Sequence, residues 1–211
     1  MSETQDTSKP APRADARRNI AAILSAARGC LVRDQGASIA EIAKAAGVGR
    51  VTLYGHFASR AELVDAVFAD AIAEAEQALE SVDLTGDPAQ ALGRLIGSSW
   101  QIVHEFRALL AAAERELPPE RIRAHHEQPL RRVERLLQRG RRTGAFRTDL
   151  PTAWLVAVFY TLLHGAAGEL AAGRLRERDA AHAITATLLA AYTPPAALTP
   201  GREPDRVAER A

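Results

Sequence analysis

A-A-G-V-G-R-V-T-L-Y-G-H-F-A-S-R, residues 45–60 of a 211-residue chain, is the stretch from which the fold is read. Gly47 supplies a position where φ can be positive, which residues carrying a Cβ avoid, so a helix reaching it from upstream ends there. Gly49 then suits the N-cap of a second short helix that ends around His56. Upstream, S-I-A-E at residues 38–41 has the spacing of a capping box: the Ser38 hydroxyl accepts from the amide three residues on, and Glu41 reaches back to the cap amide. The helix it opens runs to about Ala46. Two short helices about one glycine turn, with a supporting helix before them, have the spacing of a helix-turn-helix.

The same reasoning extends outward in both directions. Ile20, Ile23, Leu24, Ala27 and Leu31 recur on one helical face and predict the supporting helix, stopped by Gly36. S-R-A-E at residues 59–62 reads as a second capping box. It opens a longer helix whose stripe is Leu63, Val64, Val67, Phe68, Ala71, Ile72, Ala75 and Leu79. Asp87 as N-cap with Pro88 at the first helical position starts the next, carrying Leu92, Leu95, Ile96, Ser99, Trp100 and Val103. An apolar stretch at 106–117 follows. After Pro118 and Pro119 one basic helix is predicted to Arg142, with Ile122, Leu130, Val133, Leu136 and Leu137 inward, and residues 150–172 and 178–192 give the last two. The prediction is an all-α protein of about nine helices, which 44 alanines and few β-branched residues favour. It divides into a disordered arm (1–12), a helix-turn-helix head (13–60), a helical body (61–192) and a proline-rich disordered tail (193–211).

Composition narrows the function classes. Apolar residues make up 47% and charged residues 25%, near globular averages. The single cysteine, Cys30, cannot close an intrachain disulfide or complete a zinc cage. With no apolar leader segment, the expected compartment is the cytoplasm. The net charge of +1 hides blocks. Residues 1–60 hold nine basic against five acidic side chains, 61–117 three against eleven, and 118–147 nine against three. A basic first block suits DNA. Residues 151–168 carry no formal charge and reach the length of a membrane span; without basic flanks they read instead as a helix buried on two sides, against its own domain and a second subunit. No Gly-rich phosphate loop, nucleophile elbow or carboxylate pair suggests an enzyme, and no cofactor is expected. His125 and His126, adjacent on a helix, point about 100° apart, so no metal is expected either.

With I-A-E-I-A at residues 39–43 before it, the string at 45–60 resembles the tetracycline-repressor (TetR) family of bacterial transcription regulators. The resemblance is specific over residues 18–68. It implies recognition-helix contacts at Arg50, Val51, Thr52, Tyr54 and His56 and a phosphate-binding residue at Arg60. Val48, Leu53 and Phe57 anchor such a helix while Arg50, Thr52, Tyr54 and His56 stay free. Arg50 is the strong base reader, since a guanidinium takes both guanine acceptors. Lys44 is a further phosphate candidate, and Arg13, Arg17 and Arg18 are either a DNA-binding arm or a frayed basic end. Tyr54 also fits a core, and Arg60 and Lys44 also fit a solvated surface. Gly49 stands where the family often has a serine cap, and Gly55 replaces a bulky residue.

For the body, the resemblance implies a small-molecule cavity in the part that holds Trp100, His104, His125, His126, Trp154 and His164, with all but His126 as candidate lining; each of them also fits core packing or surface exposure. It also implies a dimer interface on the last two helices, with Gly165, Gly168, Ile184 and Leu188 permitting close packing. The expected partners are a double-stranded operator, a small-molecule effector and a second copy of the chain, and no membrane. Two recognition helices about 34–36 Å apart match an inverted repeat. The reading is a ligand-responsive repressor; the alternative is a helical architectural or partner-binding protein that retains a helix-turn-helix.

Overall fold

The computed structural model describes residues 12–195, with side chains from residue 16. Among these residues the chain forms ten helices and no strand. They are α1 (Pro12–Arg33), α2 (Ile39–Ala45), α3 (Arg50–His56), α4 (Arg60–Glu80), α5 (Pro88–Glu105), α6 (Arg107–Glu116), α7 (Pro119–His125), α8 (Glu127–Arg142), α9 (Thr152–Ala171) and α10 (Glu177–Tyr192). The expected arm and tail lie outside the described residues, except Pro12, which opens α1, and residues 193–195.

The helix beyond the expected nine comes from the basic stretch, which is two helices. Pro129 is the cause: a single helix running through it would need its missing N–H for the His125 carbonyl. As the third residue of a new helix it costs no intrahelical bond. The chain therefore turns at His126, whose amide closes α7 on Arg123 O at 3.0 Å and whose carbonyl accepts from Leu130 N at 3.0 Å to start α8.

The caps largely follow the sequence. Ser38 and Glu41 form the full box on α2, and Asp87 accepts from Gln90 N at 2.9 Å at the start of α5. The second box is half made. Ser59 accepts from Glu62 N at 3.1 Å, but Glu62 reaches past the cap to Ala58 N at 2.7 Å.

Two cores result. Ile23, Ala27 and Leu31 of α1, Ile42 of α2, Leu53 of α3, Leu63, Val64, Val67 and Phe68 of α4, Leu109 of α6 and Ile122 of α7 pack into one. Leu79 at the far end of α4 joins α5, α8, α9 and α10 in the other. The helix α4 thus contributes to both. Cys30 is buried on α1 as a small apolar side chain, its sulfur 3.6 Å from an Arg33 nitrogen. By length and composition α9 could cross a membrane, but it buries Leu155, Phe159 and Leu163 among α5, α8 and α10.

Candidate nucleic-acid interface and ligand cavity

The turn between α2 and α3 is built as the sequence requires. Gly47 has φ of +68°, and Val48 N donates to Ala43 O at 3.0 Å, closing the end of α2. The N-cap of α3 is Gly49, in extended conformation without a side-chain cap. A Cβ there would meet only Thr52 Oγ1, at 3.8 Å, so a serine would fit and its absence removes one cap hydrogen bond. Leu53 is fully buried and Phe57 nearly so, seating α3 on the first core. Its other face is open: Arg50 and Thr52 are exposed, Val51 is 87% exposed and Tyr54 46%, while His56 is half-buried. Tyr54 is therefore not a core residue. Lys44 stands exposed at the end of α2. Among the described residues, none of Lys44, Arg50, Thr52, Tyr54 and His56 has a side-chain partner within the chain.

Arg60 is used differently from what the resemblance implies. Its Nε donates to Glu116 Oε1 at 2.7 Å, one terminal nitrogen donates to Gln35 O at 2.7 Å, and the other donates to Ala37 O. The guanidinium is a clamp joining the α1–α2 turn, α4 and α6, and it is committed inward. Arg17 and Arg18 are exposed on α1, and the side chain of Arg13 lies outside the described residues.

In the body, a cavity of about 90 Å³ lies among α4, α5, α6, α8 and α9. Phe68, Ile72, Leu95, Val103, Phe106, Phe159 and Leu163 make most of its wall, with Glu76, Ser99, His126, Arg132, Tyr160 and His164 as the polar members. The His126 ring stands edge-on to His164 and Tyr160, with centroids at 5.4 and 5.0 Å. Its Nδ1 lies 2.9 Å from Ile122 O, so that nitrogen carries the proton and Nε2 is left as acceptor. Burial holds both imidazoles below their usual range, His164 at about 4 with His126 adding to the effect. An outer groove of about 640 Å³ along α6 and α7 shares Leu130, His126 and Tyr160 with the cavity.

Of the five expected lining residues only His164 is in this wall. Trp100 is buried in the second core beside it. His104 is not part of the wall, and its Nδ1 is buried without a partner. Trp154 is 58% exposed on the outside of α9. His125 packs behind the wall, edge-on to Phe68 with centroids 5.5 Å apart: its Nε2 is 2.7 Å from Asp65 Oδ1 on α4, and Arg121 binds both oxygens of the same carboxylate at 2.7 and 2.8 Å. The Arg121 hydrogen bonds, reinforced by His125, hold the Asp65 carboxyl at about 2 against the effect of burial. His125, the last residue of α7, thus pairs with α4, while His126, at the bend between α7 and α8, lines the cavity. No group of three or more His, Cys, Asp or Glu among the described residues is placed to hold a metal ion.

A second groove, of about 630 Å³, runs along the outside of α9 and α10 and includes Trp154, Val158, Thr161, Gly165, Ala183 and Thr187. Gly165 in this groove and Gly168 on the same helix are both exposed, with no atom within 4 Å of the space a Cβ would take. Of the other two expected interface residues, Leu188 is fully buried in the second core, while Ile184, 2% exposed and in the same core, also borders the groove. Positions 180, 184 and 188 form the α10 stripe that faces its own chain, and 183 and 187 flank it.

Residues 23–67 match the family described as bacterial regulatory proteins, tetR family. The chain is 28% identical over 166 residues to the HTH-type transcriptional regulator NfxB of Pseudomonas aeruginosa, covering 76% of this chain and 87% of that protein. Among solved structures it is similar to the TetR-like transcriptional regulator LfrR of Mycobacterium smegmatis in complex with proflavine. That likeness has a TM-score of 0.63 at 25% identity and spans 82% of this chain and 94% of the other. A TetR family transcription regulator from Marinobacter aquaeolei shares the fold at a TM-score of 0.67 and 20% identity, over 85% of this chain and 98% of its own.

Proposed function

We propose that this chain, whose residues 23–67 match the tetR family of bacterial regulatory proteins and which is 28% identical to the regulator NfxB, is a DNA-binding repressor that holds an inverted-repeat operator as a homodimer and is released by a small molecule in the α4–α9 cavity. The observation that carries the DNA half is the outer face of α3. Arg50, Thr52 and Tyr54 stand in solvent without partners on a helix seated by the buried Leu53. Arg50 reads a base edge, Thr52 contacts a thymine methyl or a phosphate, and Tyr54, His56 and Lys44 hold phosphates. Val51, almost wholly exposed, supplies apolar contact. Arg60 supports this face from behind instead of touching DNA.

Residues 13–60 form the reading head and 61–192 the sensing and pairing body, acting in the cytoplasm where the operator is. The apolar outer face of α9 and α10, with Trp154, Gly165 and Gly168, pairs with its copy. That the related LfrR was solved with proflavine supports a small-molecule effector for this chain too. The link between cavity and DNA is α4. It carries Arg60 against the head, Asp65 against α7, and Phe68, Ile72 and Glu76 in the cavity wall. A coupling of about 1–3 kcal/mol along it gives roughly 5–150-fold release.

The test is a footprint of the purified protein on DNA flanking its own gene. Two protected half-sites about one helical turn apart are expected, and protection without register identifies the architectural alternative.

A further inference from the structure

The cavity wall contains one formal negative and one formal positive charge, and they face each other. A terminal nitrogen of Arg132 on α8 lies 3.3 Å from Glu76 Oε2 on α4, and its other terminal nitrogen donates to Leu79 O at 2.5 Å. The remaining titratable groups in the wall are His126, His164 and Tyr160. Burial favours the neutral form of each: it lowers the two imidazoles and, with Glu114, raises the Tyr160 phenol. A ligand cation would have to share Glu76 with Arg132, and an anion would have to share Arg132 with Glu76. Either loses its water without gaining a counter-ion of its own.

Two atoms of the same pair remain unspoken for. Glu76 Oε1 and Arg132 Nε are both shielded from water and have no hydrogen-bond partner among the described residues. One is an acceptor and the other a donor, so a ligand that parts the walls and presents a neighbouring donor and acceptor, as a carboxamide does, can satisfy both. In the same wall Phe68, His126, Tyr160 and His164 stand at tilted or edge-on angles, an arrangement that extends readily to another ring.

We propose that this cavity selects uncharged aromatic ligands bearing an adjacent donor and acceptor, and that the Glu76–Arg132 pair sets that charge class. The inference rests on reading the cavity as the effector site. At about 90 Å³ the cavity is smaller than the roughly 150 Å³ that accommodates benzene, so a ligand must part its walls. The shared wall of Leu130, His126 and Tyr160 toward the outer groove is where it enters.

The experiment titrates the full chain with three fluorescent probes: uncharged 2-naphthamide, which carries the adjacent donor and acceptor, its anionic isostere 2-naphthoate, and cationic proflavine. The uncharged probe is expected to bind about tenfold or more tighter than either charged one. Glu76→Gln leaves Arg132 uncompensated and shifts the preference toward the anion; Arg132→Gln shifts it toward the cation; the double variant restores the uncharged preference. A charged probe binding the unsubstituted chain as tightly as the uncharged one overturns the charge class, even if no variant folds. An unchanged ranking in folded single variants overturns the role of the pair. No binding of any probe overturns the inference, and a retained footprint then leaves the DNA reading standing; probe binding without a footprint does the reverse.

Discussion

The outer face of α3 and the wall of the α4–α9 cavity use polar side chains in opposite ways. On α3, Arg50, Thr52 and Tyr54 are in solvent and their side chains have no partner among the described residues. In the cavity wall Arg132 is tied to Glu76 and Leu79, and His126 to Ile122. A surface prepared for an external macromolecule keeps its hydrogen-bonding groups hydrated until the partner replaces the water. An enclosure must satisfy most of its polar groups itself, because unmet hydrogen bonds there cost about 1–3 kcal/mol each. Arg50 and Arg60 bring the contrast down to one residue type: the first is open to solvent, the second bound to a carboxylate and two carbonyls.

Substitutions that remove an inward tie should act on stability, and those on the α3 face on DNA. The largest effect is expected for Arg60→Ala, which strands Glu116 and two backbone carbonyls. It should lower unfolding stability by roughly 2–4 kcal/mol in urea titration. A loss of DNA affinity with an unchanged urea midpoint would return Arg60 to the phosphate role. Gly140→Ala comes next. The added Cβ would fall 2.0 Å from Phe146 Cδ2 and 2.8 Å from its Cγ. Overpacking of about 1–3 kcal/mol should outweigh the helix-propensity gain and lower the midpoint.

Arg50→Ala should leave the midpoint unchanged and cost about 1–3 kcal/mol on the cognate operator, with relaxed preference at one base pair. Lys44→Ala should weaken every sequence alike. Equal losses for Arg50→Ala on specific and random DNA would remove its base-reading role. The smallest effect is a gain. Gly55 lies within α3 with nothing within 4 Å of a built Cβ, so Gly55→Ala should raise stability by up to about 1 kcal/mol in the same urea titration.

The legibility of the two regions differs for the same reason. The Ser38–Glu41 box, the Gly47 turn and the buried Leu53 are all set within a few residues of one another, and each was read from spacing alone. The cavity is assembled from helices far apart in sequence. Residue type there suggested Trp100 and Trp154, of which one is in the core beside the cavity and the other faces solvent. The signal for His126 was present in Pro129, which cannot continue a helix begun before it and so puts a bend at His126. On α10, the four-residue spacing of Ala180, Ile184 and Leu188 marks one apolar stripe, but not whether that stripe meets its own chain or a partner.

By itself, then, the sequence determined the helical architecture, the helix-turn-helix and the side chains offered on α3, because caps, glycine turns and apolar periods act over one or two helical turns. Tertiary structure alone decided that Arg60 clamps three elements, that His125 pairs with Asp65 while His126 lines the cavity, and that Glu76 meets Arg132. Those pairings depend on the relative placement of helices that only the closing of two cores fixes.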